Sequence, residues 1–146
     1  MQITTPFASA WSGVSAAAIA ALTFPGDKRY PSHPIVSALV AKINNRDCQA
    51  FTDLFSKKAV VHDEGRTMQG KPEILKWMQG AIEEYDFKIE SYTLGEEKSE
   101  TRKGVQFTEV TFIAKVTGNF DGSPADLLHV VIAENRKVTL LKISFA

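Results

Sequence analysis

The sequence predicts an α+β domain in which the helices cover one side of a curved antiparallel sheet. Before Asp86, apolar residues recur three or four positions apart in several segments, the spacing of amphipathic helices. After Asp86 the spacing changes to two, which is typical of strands, and it stays so to the end of the chain. Helices followed by strands favour this plan over an alternating α/β fold.

The composition is that of one globular domain. The chain has 146 residues, of which 44% are hydrophobic and 23% are charged. Seventeen basic side chains balance seventeen acidic ones, so there is no basic footprint for a nucleic acid or an anionic membrane surface. Cys48 is the single cysteine, which excludes an intrachain disulfide and suits a reducing compartment.

The first 33 residues are predicted to form a helical extension and a linker. Thr5 can cap a helix with an apolar stripe from Phe7 to Leu22, and residues 24–34 are rich in proline and polar residues. The stripe can pack on the domain, cover a pocket or contact a second subunit. Residues 13–24 resemble the apolar part of a signal peptide, but no basic residue precedes Lys28, so we expect a cytoplasmic protein rather than a secreted one.

The domain, residues 34–146, is predicted to begin with three helices and a short strand. The first helix starts at Pro34, and Asp47 caps a second whose buried face is Phe51, Leu54 and Phe55. A strand over 59–64 follows. The third helix starts at "GKPE", and its apolar stripe consists of Ile74, Trp77, Met78, Ala81, Ile82 and Tyr85.

Four strands are predicted over 86–95, 105–120, 125–134 and 137–145, with the charged run between the first two as the solvated end of a hairpin. In the second of these strands the alternate residues from Val110 to Phe120 form an apolar face directed toward the helices. The opposite face is mixed and is expected to contact solvent or a subunit. Its members are Phe107, Glu109, Thr111, Ile113, Lys115 and Thr117.

The end of the short strand, "VVHDEG", contains residues capable of acid–base chemistry. Neighbours on a strand point to opposite faces, so Asp63 shares a face with Ala59 and Val61 while His62 lies on the other. A carboxylate desolvated among apolar groups is a usable base. The alternative is that Asp63 and Glu64 only turn the chain, since such residues are common at strand ends.

The segments "INNRDCQAFTDLFSKKAVVHDEG" (43–65) and "MQGKPEILKWM" (68–78), followed by the sheet, resemble the nuclear transport factor 2-like superfamily. This superfamily includes the SnoaL-like polyketide cyclases and the ketosteroid isomerases. The resemblance covers residues 34–146 and implies a cone-shaped curved sheet wrapped around three helices, with a pocket inside. It also implies a homodimer formed through the outer face of the sheet, for which Phe107 and Ile113 are candidates.

The resemblance suggests two catalytic residues. Asp63 falls where the isomerases have their general base, and His129, eight positions before Lys137, falls where they have a hydrogen-bond donor to the oxyanion. There are two alternatives. A difference in loop length would align Leu128 with that position, or His129 has only a structural role within the sheet. The isomerase tyrosine is matched by Leu39, so that active site is not reproduced in full.

A small hydrophobic molecule is the expected ligand. Candidate pocket residues, of which the aromatic residues and Met78 more often form plain core, are Phe51, Phe55, His62, Trp77, Met78, Phe112 and Phe120. The three histidines lack metal-ligand spacing, so neither a metal nor another cofactor is expected.

Two functions follow from these observations. The first is a cofactor-independent isomerase, cyclase or dehydratase acting by acid–base chemistry on a small hydrophobic carbonyl compound, with Asp63 as the base. The second is a binding or dimerisation module without catalysis.

Overall fold

The computed structural model describes residues 33–146. The predicted N-terminal helix over residues 5–22 and most of the linker lie outside the described residues. These residues contain three helices: α1 (Pro34–Asn44), α2 (Cys48–Asp53) and α3 (Lys71–Tyr85). Six strands are β1 (Phe55–Asp63), β2 (Arg66–Gln69), β3 (Lys88–Arg102), β4 (Val105–Thr117), β5 (Ala125–Glu134) and β6 (Lys137–Phe145).

The strands form one curved sheet in the order β2-β1-β6-β5-β4-β3. The predicted four-stranded antiparallel meander is confirmed in β3 to β6. The whole sheet is nevertheless mixed, because β1 runs parallel to β6. This pairing joins the first strand to the last, so local periodicity carries no sign of it.

Strand β2 was not expected from the sequence. It forms a hairpin with β1 through the two-residue turn Glu64-Gly65, where both residues have positive φ, 50° and 81°. That backbone is the geometry of a tight hairpin, and Gly65 adopts it without steric cost. "DEG" is therefore a turn and a strand end together, since Asp63 still pairs with Arg66.

Strand β3 extends seven residues beyond its predicted end at 95. The charged run, expected to be the solvated end of a hairpin, continues β3 and pairs with β4 as far as Arg102 and Val105. Register shifts interrupt this pairing between Ile89 and Ser91 and between Leu94 and Glu97, and such irregularities bend a sheet. Strand β4 ends at Thr117, three residues earlier than predicted.

The start of α1 involves a residue that was assigned to the linker. His33 is the N-cap, and its Nδ1 accepts a hydrogen bond from the backbone N–H of Ile35 at 3.2 Å. Nδ1 therefore carries no proton, and Nε2 donates to Glu97 Oε2 at 2.9 Å. His33 thus connects the first helix to β3.

The helices cover the inner face of the sheet. Their buried apolar side chains meet those of the strands in one core that includes Val36, Leu39, Phe51, Ile74, Met78, Val61, Val110, Phe112 and Leu141. Phe55, predicted to lie on the second helix, opens β1 and is part of this core. No helix within residues 33–146 is long and apolar enough to cross a membrane.

The outer face of β4 is more buried than predicted. Glu109 and Thr111 were assigned to a mixed surface, but their exposed fractions are 0% and 2%. Their partners on β5 are the apolar Ile132 and Val130, and on β3 Glu109 lies opposite Lys98. Phe107 and Ile113 are half-buried on this face, and the Arg102 guanidinium lies 4.7 Å from the Phe107 ring centroid.

Candidate functional site

A cavity of about 900 Å³ lies between the helices and the inner face of the sheet. Its wall is mostly apolar, with side chains from α1, α3 and every strand of the meander. The apolar part of the wall includes Leu39, Ile43, Phe51, Trp77, Met78, Ile89, Phe112, Val116, Leu141 and Ile143. The volume is in the range of small-molecule sites.

Asp63 lies on this wall at the end of β1. It shares the inner face with Ala59 and Val61, both fully buried, as strand alternation predicted. Its Oδ2 accepts a hydrogen bond from the indole Nε1–H of Trp77 at 3.1 Å. Within residues 33–146 no group donates to Oδ1, which leaves that oxygen available to a ligand.

His129 lies on the same wall, on β5, with 6% of its surface exposed. Its ring stacks on Phe112, with 4.4 Å between centroids and 13° between planes. Nδ1 is 3.1 Å from the backbone oxygen of Leu127. A carbonyl oxygen only accepts, so Nδ1 carries the proton.

Burial lowers the pKa of His129 to about 4, although its hydrogen bond to Leu127 acts in the opposite direction. The ring is therefore neutral at pH 7, with its single proton on Nδ1. Nε2 consequently carries a lone pair and no proton. The expected role as a donor to an oxyanion does not agree with this geometry, because at neutral pH His129 offers only an acceptor at Nε2.

Asp63 and His129 belong to one row across the sheet. Asp63 pairs with Ile143 on β6, and Ile143 pairs with His129 on β5, which pairs with Phe112 on β4. Directly paired residues point to the same face. Two strand spacings place the Cα atoms of Asp63 and His129 about 10 Å apart. The two side chains therefore flank Ile143 without contacting each other.

Five of the seven predicted pocket residues line the cavity: Phe51, Trp77, Met78, Phe112 and Phe120. Phe55 does not; it packs against Phe51 in the core, with ring centroids 5.1 Å apart. His62 does not either, because alternation turns it to the outer face. There its Nδ1 is 3.1 Å from Thr67 Oγ1, and desolvation, followed by the charge of Lys142, lowers its pKa.

The rim of the cavity is formed by residues that were not predicted to line a pocket. We define the mouth as the exposed residues with large side chains on the cavity wall, which are Glu64, Arg66, Tyr85, Asn119, Asp121 and Phe145. Phe145 is 70% exposed, which is unusual for a phenylalanine. The period-two pattern of β6 indicated which of its residues lie on the inner face of the sheet. Which of these residues lie at the rim of the cavity depends on the curvature of the sheet.

Among residues 33–146, no group of three or more histidine, cysteine or acidic side chains is arranged to hold a metal ion. The polar groups away from the mouth are the Asp63 carboxylate and the neutral His129 ring. A carboxylate can take a proton from a bound molecule, and a neutral imidazole can accept a hydrogen bond from it. Acid–base chemistry and ligand binding are both compatible with this pair.

Comparison with known proteins gives a consistent result. The family model of the SnoaL-like domain matches residues 36–140. A solved structure from Sinorhizobium meliloti, assigned as a polyketide cyclase, is 27% identical with a TM-score of 0.63. The match covers 77% of this chain and 95% of that one. No match was found among curated proteins.

Two more distant structures share the fold. A ketosteroid isomerase-like protein from Erwinia carotovora atroseptica is 17% identical, with a TM-score of 0.60 over 76% of this chain and 90% of that one. The orange carotenoid protein of Anabaena, solved with canthaxanthin, is 16% identical with a TM-score of 0.63. That match covers 78% of this chain and 36% of that protein.

Proposed function

Because the chain belongs to the SnoaL-like domain family of the nuclear transport factor 2-like superfamily, we propose that its cavity binds a small hydrophobic molecule and that Asp63 acts on it as a general base. The observation that carries this proposal is the position of Asp63. Its carboxylate is on the wall of an apolar cavity and is held by the Trp77 indole, with one oxygen left for a ligand.

The reaction that fits is proton transfer next to a carbonyl group. Asp63 Oδ1 would take a proton from the α-carbon, and the C–H electron pair would form an enolate. Return of the proton at another atom gives an isomer. Attack of the enolate carbon on a second carbonyl carbon of the same molecule gives a ring: the π pair of that carbonyl moves to its oxygen, which takes the proton back from Asp63. The Trp77 N–H bond to Oδ2 would keep the carboxylate in position during both steps.

Exchange with solvent tests this step without knowledge of the natural substrate. In D2O, abstraction followed by return replaces the α-proton with deuterium, which proton NMR records as signal loss. A panel of flat cyclic ketones such as 2-tetralone is suitable for a cavity of this size. We expect Asp63→Asn to lower the protein-dependent exchange rate at least 100-fold.

Asp126→Asn is the matched control, since Asp126 is an exposed aspartate on β5 that lies off the cavity wall. With this variant the ketones should exchange at the wild-type rate. Exchange that persisted unchanged in Asp63→Asn would show that Asp63 is not the base.

The second candidate function is ligand binding without catalysis. A specific observation favours it: away from the mouth, the cavity wall in residues 33–146 presents no free donor to stabilise an enolate. Leu39 lies on the wall where the isomerases have a tyrosine, and the Trp77 N–H is already used by Asp63. The carotenoid-binding neighbour supports this alternative. Tight binding of apolar probes, with no exchange for any ketone, would favour it over the enzyme.

We also propose a homodimer formed through the outer face of the sheet. Its support is the apolar character of that face, on which Phe107, Ile113, Leu128 and Val130 are half-buried in the single chain. Apolar area of this kind is stabilised when a second copy covers it.

A further inference from the structure

We infer that His129 selects ligands that carry a hydroxyl group at its position in the cavity over ligands that carry a carbonyl oxygen there. The inference rests on the proposed binding function and adds the chemical nature of the group that His129 recognises. It reverses the role that the resemblance to isomerases implied, in which this position donates.

The direction of the hydrogen bond follows from the neighbours of the ring. Leu127 O accepts from Nδ1, so in the neutral ring Nε2 is an acceptor. Nε2 has no hydrogen-bond partner within residues 33–146, although His129 is more than nine-tenths buried. His129 lines the cavity, so a ligand hydroxyl that reaches Nε2 supplies the missing hydrogen bond.

A carbonyl oxygen at the same place has the opposite effect. It would face the Nε2 lone pair, with no proton between the two acceptors. Asp63, the other polar group away from the mouth, is also an acceptor through Oδ1. Both groups therefore favour donors on the ligand.

The stacking of His129 on Phe112 limits the direction from which a hydroxyl can reach Nε2. The rings of His129 and Phe112 are stacked, with 13° between their planes. A hydrogen bond to Nε2 lies in the plane of the imidazole, so the hydroxyl should approach the edge of His129. Apolar side chains, Leu141 and Ile143 among them, line the surrounding wall.

Three pyrene probes differ in whether their oxygen can donate a hydrogen bond or only accept one. 1-Hydroxypyrene offers a donor, 1-methoxypyrene has the same oxygen without a donor, and pyrene-1-carbaldehyde offers only an acceptor. Affinities are measured by titrating each fluorescent probe with the full-length protein at pH 7. We expect 1-hydroxypyrene to bind at least fivefold more tightly than either of the others, the size of one ordinary hydrogen bond.

Variants of His129 link the preference to this residue. His129→Phe keeps an aromatic ring against Phe112 and removes the acceptor, so all three probes should bind within about twofold of one another. His129→Gln has a carbonyl oxygen that can accept and should keep part of the preference. If His129→Phe fails to fold, His129→Gln tests whether the preference depends on this residue.

The outcomes separate the inference from the proposed function. Equal affinities for all three probes in the wild type would overturn the inference and leave the binding function in place. Preference for the aldehyde would show that His129 donates and would also overturn it. Absence of binding by every probe would overturn the inference and count against the binding function itself.

Discussion

Asp63 and His129 flank a single residue, Ile143, in one row across the inner face of the sheet. They are 66 positions apart in the sequence but about 10 Å apart at Cα, because each is one strand away from Ile143. A ligand lying over Ile143 can contact both. This row is the reason that the two candidate residues form one site.

The hydrogen bond between Trp77 and Asp63 should contribute to stability as well as to orientation. Trp77→Phe keeps an aromatic ring near Phe51 but removes the donor to Asp63 Oδ2. We expect the free energy of unfolding to fall by about 1–2 kcal/mol. Urea denaturation followed by circular dichroism measures this change.

A double-mutant cycle with Asp63→Ala isolates the interaction from the change in packing. The coupling energy between Trp77→Phe and Asp63→Ala should be about 1 kcal/mol. Strictly additive effects would mean that the hydrogen bond contributes nothing to folding.

The burial of His129 makes stability depend on pH. The pKa of His129 is about 4 in the folded protein and 6.5 when the ring is in water. Between these values the unfolded chain binds the proton and the folded protein does not. The free energy of unfolding should therefore fall as the pH is lowered from 6.5 to 4, by about 3 kcal/mol in total.

Urea denaturation at a series of pH values tests this dependence. His129→Phe should flatten the curve in that window, because the titrating group is gone. His62→Gln is the control, since burial also lowers the pKa of His62, but its ring is only half-buried. If His129→Phe followed the wild-type curve, another group would be responsible for the decline.

Gly118, directly after β4, lies so close to a neighbouring segment of the backbone that no side chain fits there. A Cβ at this position would lie 2.8 Å from the backbone oxygen of Tyr85 and 3.0 Å from Phe87 Cα. Both atoms belong to the backbone and cannot move aside cheaply, so Gly118→Ala should lower the free energy of unfolding by about 1–3 kcal/mol. Gly118 also lines the cavity, so ligand affinity should fall with it.

Gly80 provides the opposite case. It lies in α3, is exposed, and a Cβ there would meet no atom within 4 Å. Gly80→Ala should therefore raise the free energy of unfolding by about 0.5–1 kcal/mol through helix propensity. Thermal denaturation of both variants checks the pair, and a Gly118→Ala protein as stable as the wild type would contradict the contact.

The proposed dimer predicts a concentration-dependent mass. Light scattering at micromolar concentration should give about twice the chain mass of 16.1 kDa. Ile113→Arg places a charge on the outer face of β4 and should reduce the mass to that of one chain. Gln79→Arg, on the exposed side of α3, should leave the dimer intact. A wild-type protein that is monomeric at these concentrations would exclude the proposal.

Local pattern determined much of the site by itself. Strands β5 and β6 have the bounds that the period-two pattern predicted, and Asp63 shares the face of Ala59 and Val61. These results depend only on which neighbours in the sequence are apolar. The side-chain period of a strand decides the face on which each residue lies, whatever the strand pairs with.

The tertiary structure decided what each of these residues contacts. The bond from Trp77 to Asp63 depends on where α3 crosses β1, and the row from Asp63 to His129 depends on the parallel pairing of β1 with β6. His129 was predicted as a donor, but burial and the direction of the Leu127 carbonyl make its free nitrogen an acceptor. Periodicity identifies a face, whereas depth, partners and protonation depend on chain segments far apart in the sequence. Only the folded chain brings those segments together.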